Sequence, residues 1–138
     1  MSFSAAEKEI ILHADGKKKH SPPNNGQTCR KDVLRLLKYD LFEFYANSRF
    51  AEENICSYYI KTIFLHLLDE QHETRHWANE FLRCRYVDAL SRIVRCLEKD
   101  HIEHYFIPGE NILSEKFIPR SQLDAVKQYF SDKRCRYS

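Results

Sequence analysis

The segment TCRKDVLRLLKYDLFEFYA, residues 28–46, contains the pattern that decides the fold class. Its apolar side chains recur every three or four positions, which is the period of an α-helix that buries one face. This apolar stripe comprises Leu34, Leu37, Leu41 and Phe44. Thr28 belongs to the residue types that cap helix N-termini. The segment therefore predicts an amphipathic α-helix that follows Thr28 and ends near Ala46.

Four further segments predict helices from spacing, capping and chain-breaking residues. One begins with a capping-box pair, Ser4 and Glu7, and two carry apolar side chains at helical spacing. With three glycines and four prolines among 138 residues, the chain has few positions for the tight turns of an all-β fold. The sequence predicts an all-α fold, a compact bundle of five or six helices. The four further helices are expected over residues 4–14, 54–70, 79–99 and after Pro119.

The chain is organised as a single helical domain over residues 1–138. Residues 15–28 form a loop rich in proline, glycine and lysine, which contains two of the three glycines and two of the four prolines. Residues 132–138 form a basic tail. Both segments are polar connections or ends rather than parts of a second core.

The charge balance limits the classes of partner. There are 22 basic and 20 acidic residues, so any nucleic-acid surface must be local rather than spread over the whole chain. No apolar run approaches the ~20 residues of a membrane span, so no membrane partner is expected. Five cysteines without paired CxxC spacing indicate reduced thiols, and hence a cytoplasmic or nuclear location.

The sequence from His72 to His76 has the form H-E-x-x-H. On an α-helix this spacing places two imidazoles on one face, as in zinc proteases. The motif lies in a polar run between two helical patterns, however, and no third ligand accompanies it. We interpret it as a solvated linker that Trp77 anchors to the core, and zinc peptidase activity is not expected.

A basic stripe follows the predicted helix of residues 28–46. Lys31, Arg35 and Lys38 lie at helical spacing on a face that differs from the apolar stripe. Such a stripe can bind phosphates, although most stripes of this kind are simply the wet face of an amphipathic helix. Other basic residues precede it, namely Lys17, Lys18, Lys19 and Arg30.

The sequence Ser57-Tyr58-Tyr59-Ile60-Lys61 places a hydroxyl and an ammonium four residues apart at a helix start. The two groups could share one phosphate there, and Tyr58 could stack on a base. The alternative is that these tyrosines pack at the edge of the core, which is the commoner role for such residues.

Several motifs occur together and in a fixed order. Residues 2–10 read SFSAAEKEI, residues 29–39 CRKDVLRLLKY, residues 56–62 CSYYIKT and residues 104–108 HYFIP. Trp77, Arg95-Cys96-Leu97 and Asn111-Ile112-Leu113 complete the set. Over residues 2–118 this pattern resembles the C-terminal half of the cyclic GMP-AMP synthase-like (male-abnormal-twenty-one) family. There the segment is a helix-hairpin-helix (H2TH-like) lobe that packs against a β-sheet nucleotidyltransferase core and closes the active-site cleft.

The resemblance implies roles for three residues in a nucleotide site. Lys38 matches the lysine that contacts the triphosphate of the nucleotide. Ser57 matches the serine that binds phosphate, and Tyr58 matches the tyrosine that stacks on a nucleobase. Each role agrees with the chemistry of the residue type, so the resemblance favours the binding interpretation over simple packing.

The resemblance also implies two further surfaces. Ser2, Ser4 and Glu7 match the stretch that lines the acceptor-nucleotide pocket. Lys31 and Arg35 match basic positions on the surface that binds double-stranded DNA or RNA in those family members that sense it. We expect Lys17, Lys18 and Lys19 to add to this surface.

The chain differs from the family pattern at a zinc-binding insertion. Vertebrate members that sense nucleic acid carry one histidine and three cysteines there. His13 and Cys29 match the ends of this insertion, but the paired cysteines between them are absent. No metal site is therefore predicted.

The catalytic elements of the family lie N-terminal to the matching segment and are missing here. They are a Gly-Ser loop and three metal-binding carboxylates, whereas the glycines of this chain are Gly16, Gly26 and Gly109. Two-metal phosphoryl transfer needs those carboxylates. We expect no turnover by this chain alone, and Mg or Mn with ATP or GTP only together with the missing lobe.

Two functions from different classes remain after this comparison. The first is the nucleotide-binding helical lobe of a cyclic-dinucleotide synthase-like nucleotidyltransferase of the innate-immune sensor class. The alternative is a non-catalytic module that binds proteins or double-stranded nucleic acid. The first predicts an exposed apolar face where the missing lobe would dock, on the first two helices, those of residues 4–14 and 28–46.

Overall fold

The computed structural model describes residues 28–138, and this part of the chain is helical. The helices are α1 (Arg30–Ala46), α2 (Ser57–Glu70), α3 (Leu82–Glu98) and α4 (Arg120–Tyr137). Two isolated β-bridges occur within these residues, but no β-strand. The predicted all-α class is confirmed. The helix expected over residues 4–14 and nearly all of the loop 15–28 lie outside the described residues.

The start of α1 differs from the prediction by one residue. Cys29, not Thr28, is the N-cap, and its side chain makes no capping hydrogen bond. The reason is a tertiary contact: the Cys29 amide donates to the carbonyl oxygen of Trp77 at 2.8 Å, and Thr28 forms a bridge with Ala78. The entry to α1 is therefore held by the segment that follows α2.

Helices α2 and α3 also begin later than expected. Residues 54–56 precede α2 in non-helical conformation, and Cys56 is extended. Before α3 the chain forms two short 3₁₀ turns, Thr74–Trp77 and Asn79–Phe81. The residues of the predicted basic tail, 132–138, continue α4 as far as Tyr137.

Helix α3 lies at the centre of the bundle and packs against the other three helices. The predicted stripe of α1 is buried in this core, as are the apolar faces of the other helices. Burying one large apolar side chain stabilises a fold by roughly 1.5–3 kcal/mol. The largest apolar side chains with almost no exposure include Leu34, Leu37, Phe64, Trp77, Leu90 and Phe130. None of the helices within residues 28–138 is both long enough and apolar enough to cross a membrane.

A buried polar contact joins α1, α4 and the chain before α2. The Tyr45 hydroxyl donates to Gln122 Oε1 at 2.6 Å and accepts from the Ile55 amide at 2.9 Å. The Asn54 amide donates to the same Gln122 oxygen at 3.0 Å. Burial raises the pKa of Tyr45 to about 12. We call these four residues the Tyr45 junction.

We predict that Tyr45→Phe destabilises the fold by about 1–3 kcal/mol, because it leaves the buried Ile55 amide without its acceptor. Urea unfolding followed by circular dichroism measures the change. Tyr39→Phe, at a tyrosine that is 58% exposed, is the matched control and should leave the free energy of unfolding unchanged. Equal stability of Tyr45→Phe and wild type would contradict the structural importance of the junction.

Candidate nucleotide site and basic surface

The three basic residues predicted along α1 have different environments. Arg35 is exposed and lies 3.8 Å from Asp32, whereas Lys31 is partly buried. Lys38 is only 3% exposed, so it does not belong to the wet face of the helix. Lysine rarely occupies such a position without a specific role or partner. Lys38 therefore differs from the exposed Arg35 in its burial.

Lys38 lines an open groove of about 300 Å³. Its described lining comes from α1 alone and consists of Arg35, Lys38, Tyr39 and Phe42. Tyr39 and Phe42 are 58% and 59% exposed, and their ring centroids lie 6.5 Å apart. The groove thus combines two cationic side chains with an aromatic wall, which is a chemistry suited to a phosphate attached to a ring.

Ser57 and Tyr58 form the first turn of α2. Cys56 before them is extended and provides no side-chain cap, so the first amides of this helix are not capped by it. Helix N-termini with such amides favour anions. Tyr58 is 45% exposed, whereas Tyr59 beside it is 4% exposed. Tyr59 therefore fits the alternative of core packing. Tyr58 leaves its ring accessible to solvent, as base stacking requires.

Ser57 and Tyr58 lie together on the first turn of α2, whereas Lys38 lies on α1. The Tyr45 junction holds the chain immediately before Ser57, and Lys38 lies two turns earlier on α1, about 10 Å along the helix axis. The described lining of the Lys38 groove includes neither Ser57 nor Tyr58. The remaining predicted residues, Ser2, Ser4, Glu7, Lys17, Lys18 and Lys19, lie outside the described residues.

Arg30 was included in the basic run, and the structure corrects this. Its side chain has no exposure, and its guanidinium carbon lies 5.6 Å from the centre of the Trp77 ring. Its Nη2 also donates to the His72 carbonyl at 3.4 Å. A cation over an indole face in a water-excluded site is favourable. Arg30 is therefore a structural residue and not part of a phosphate surface.

The H-E-x-x-H motif does not lie on an α-helix. His72 and Glu73 are exposed residues after the end of α2, and His76 belongs to a 3₁₀ turn. Trp77 is completely buried, and its indole Nε1 donates to the Gln71 carbonyl at 2.5 Å. This is the geometry of an anchored linker and not of a helix that presents two metal ligands.

Cys29 also lacks the character of a metal ligand. It is completely buried, and burial raises the pKa of its thiol to about 11. Metal binding needs the thiolate, which this environment disfavours. Within residues 28–138, no group of three histidine, cysteine or acidic side chains is positioned to hold a metal ion.

A buried charge cluster on α1 was missed by the sequence analysis. Asp40 is 3% exposed and accepts a hydrogen bond from the Tyr86 hydroxyl. Lys133 Nζ lies 3.5 Å from carboxylate oxygens of both Asp40 and Glu43. The Tyr129 hydroxyl donates to Glu43 at 2.7 Å. Burial raises the pKa of Asp40, whereas the Tyr129 hydrogen bond lowers the pKa of Glu43.

The only signal for this cluster in the sequence was an acidic residue next to the apolar stripe of α1. Its partners lie 46 residues away at Tyr86 and on the last turns of α4. Helical periodicity does not connect residues at such separations. The cluster therefore became visible only once the helices had been placed.

We predict that Lys133→Met destabilises the fold by about 3–5 kcal/mol at neutral pH, because it leaves the Asp40 charge buried without its cation. Asp40→Leu combined with Lys133→Met should restore most of the stability. The free energy of unfolding of each variant in urea provides the measurement. If the double variant is no more stable than Lys133→Met alone, the pairing of Asp40 with Lys133 is contradicted.

The defect of Lys133→Met should also depend on pH. The pKa of Asp40 is raised in the folded state, so the folded protein holds this proton more tightly than the unfolded chain. Stability of the variant should therefore be greatest near and below about pH 4, the unfolded-state value, and decrease as pH rises. A defect that is constant from pH 4 to pH 7 would contradict this explanation.

The fold and the site together define a helical lobe that presents a basic helix and a tyrosine-bearing helix start. The model of the Mab-21 protein HhH/H2TH-like domain matches residues 29–132. The chain therefore belongs to the Mab-21 family. This confirms the family inferred from the ordered sequence motifs.

The chain is similar to several curated proteins. It is 29% identical over 140 residues to the cyclic GMP-AMP synthase of Sus scrofa, covering 99% of this chain and 27% of that protein. It is 30% identical over 134 residues to the Mus musculus protein of the same name, covering 96% and 25%. A cyclic GMP-AMP synthase-like receptor of Magallana gigas is 32% identical over 117 residues, covering 82% and 17%. The chain thus spans about a quarter or less of the length of these relatives.

Proposed function

We propose that this chain is the nucleotide-binding helical lobe of a cyclic-dinucleotide synthase-like nucleotidyltransferase and does not turn over substrate alone. The observation that carries the proposal is the match of residues 29–132 to the Mab-21 domain, together with relatives that are cyclic GMP-AMP synthases. Proposed partners are nucleoside triphosphates, double-stranded nucleic acid and a nucleotidyltransferase lobe. Mg or Mn would bind with ATP or GTP only in the joined protein.

The geometry supports a role for Lys38, Ser57 and Tyr58 in holding the nucleotide. Lys38 supplies a positive charge at a groove, Ser57 a hydroxyl at a helix start and Tyr58 an exposed ring. Stacking on an aromatic ring contributes about 1–3 kcal/mol per base, and a charge-assisted hydrogen bond about 1.5–3 kcal/mol. Association costs offset most of this, so we expect the lobe alone to bind nucleotide no better than about millimolar.

The exposed apolar side chains support docking of a second lobe. Tyr39 and Phe42 on α1 and Tyr58 on α2 leave 58%, 59% and 45% of their surfaces exposed. Monomeric proteins rarely leave several large aromatic side chains in water without a use for them. A nucleotidyltransferase lobe placed over these residues would cover them and enclose the Lys38 groove.

We predict the effect of substitutions in a protein joined to a nucleotidyltransferase lobe from a close relative. Lys38→Ala and Tyr58→Ala should each lower kcat/KM for nucleotide joining with Mg²⁺ by about ten-fold or more, because each removes a contact of roughly 1.4 kcal/mol or greater. Tyr58→Phe keeps the ring and should retain most of the activity.

The matched control for the lysine is Lys127→Ala on α4, which makes a surface ion pair with Asp124 at 3.7 Å. It should leave kcat/KM unchanged because exposed pairs contribute little. Circular dichroism of each variant reports whether the fold is intact. If Lys38→Ala and Tyr58→Ala are both fully active in a folded protein, the nucleotide-site assignment is wrong.

A second candidate function, binding of duplex nucleic acid, is supported by Lys31 and Arg35 on one face of α1. They lie four residues apart, and Arg35 is exposed. With Lys17, Lys18 and Lys19 they would make three to six phosphate contacts, which corresponds to a log–log salt slope of roughly −3 to −5. Duplex binding is also the function expected if the chain is a non-catalytic nucleic-acid-binding module.

We predict that Lys31→Glu with Arg35→Glu weakens duplex binding and flattens its salt dependence. Fluorescence anisotropy with a labelled DNA duplex and a labelled RNA duplex, each at several salt concentrations, measures both quantities. The control is Arg95→Glu with Lys99→Glu, two exposed residues with the same spacing at the C-terminal end of α3. Affinity that does not change with salt, or that is lowered equally by both double variants, would contradict this surface.

A further inference from the structure

A second cavity shares Tyr39 with the Lys38 groove. It has a volume of about 570 Å³ and opens between α1, the start of α3 and the end of α4. Sites for small molecules have volumes of roughly 300–1,000 Å³. We call it the α1–α3–α4 pocket. Its lining within residues 28–138 includes Leu36, Tyr39, Asp40, Leu82, Arg83, Arg136 and Tyr137.

The walls of this pocket are apolar and aromatic. Leu36, Tyr39 and Tyr137 are 38%, 58% and 37% exposed, so part of each side chain is accessible to solvent and to a ligand. The Tyr137 ring contacts the buried ring of Tyr86 edge-on, with centroids 5.5 Å apart. Two partly exposed tyrosines, one on α1 and one at the end of α4, offer ring surface to a planar apolar group.

The polar groups of the pocket are mainly cationic. The carboxylate among the described lining residues is that of Asp40, which is 3% exposed and is already bound to Tyr86 and Lys133. Arg83 Nε donates to the Tyr137 carbonyl at 2.7 Å, which uses one of the five N–H donors of its guanidinium. Arg136 is exposed and forms no ion pair with another residue of the range 28–138. Among residues 28–138, the rim therefore offers two guanidinium groups and no acidic side chain besides Asp40.

We infer that the α1–α3–α4 pocket binds a small aromatic anion. The ring would lie between Tyr39 and Tyr137, and a phosphate or carboxylate would meet Arg136 and the remaining donors of Arg83. Guanidinium groups recognise these oxyanions through paired hydrogen bonds. The pocket shares the side chain of Tyr39 with the Lys38 groove but uses different charged residues. The inference therefore does not depend on the proposed nucleotide site.

The test uses the full chain and 1-naphthyl phosphate as the probe, with binding measured by isothermal titration calorimetry. Two partial probes, 1-naphthol and inorganic phosphate, should each bind at least about ten-fold more weakly, because each lacks one of the two groups recognised. In protein NMR spectra, the methyl signals of Leu36 and Leu82 should shift on addition of the aryl phosphate. Shifts confined to other methyl groups would overturn the inference.

Substitutions locate the binding further. Arg136→Gln and Tyr137→Ala lie in the last turn of an exposed helix end, so they leave the core intact, and each should weaken the aryl phosphate by about ten-fold. Lys38→Ala combined with Tyr58→Ala removes the proposed nucleotide residues and should leave this affinity within about two-fold of wild type. An affinity that survives Arg136→Gln, or one that the Lys38 and Tyr58 substitutions abolish, would overturn the inference.

Discussion

The arrangement of the helices depends on the hydroxyl of Tyr45. It donates to Gln122 on α4 and accepts from the Ile55 amide, so one buried oxygen ties together three separate parts of the chain. If the Tyr45 hydroxyl were removed, each of its buried partners would lose a hydrogen bond that water does not replace. Together with the Asn54 amide, which donates to the same Gln122 oxygen, this contact holds the chain just before α2 against α1 and α4. The positions of Ser57 and Tyr58 relative to α1 follow from it.

The second buried cluster shows that α1 does more than fill the core. Asp40 and Glu43 lie one turn apart, and Lys133 bridges them from the last part of α4. Buried ion pairs of this kind contribute little net stability, because desolvation offsets their attraction, but removing one partner is costly. They fix how α4 lies against α1, and hence the shape of the pocket between these helices. Helix α1 thus carries a core stripe, a basic surface and the floor of a cavity.

Local sequence patterns predicted most of the fold, because helical periodicity and capping depend on neighbouring residues. They located both ends of α1, α2 and α3 and the start of α4 to within about three residues, but not the end of α4, which continues through the predicted basic tail. They failed where distant residues decide, as at the Cys29 cap, the 3₁₀ turns before α3 and the buried Arg30. For the site, the motif around Tyr58 pointed to a stacking residue, and the structure leaves that ring exposed beside a buried Tyr59. The burial of Lys38 and the Asp40 cluster needed partners that no spacing rule connects.

The packing of Trp77 has a spectroscopic consequence. It is the only tryptophan in the chain and is completely buried. Its ring packs against the Phe64 ring and the Arg30 guanidinium. Its carbonyl also receives the amide that precedes α1. Ultraviolet emission excited at the indole band therefore originates from one place, the contact between the entry to α1 and the linker after α2. Trp77 fluorescence therefore reports on the contact that positions α1, the helix that carries Lys31 and Arg35.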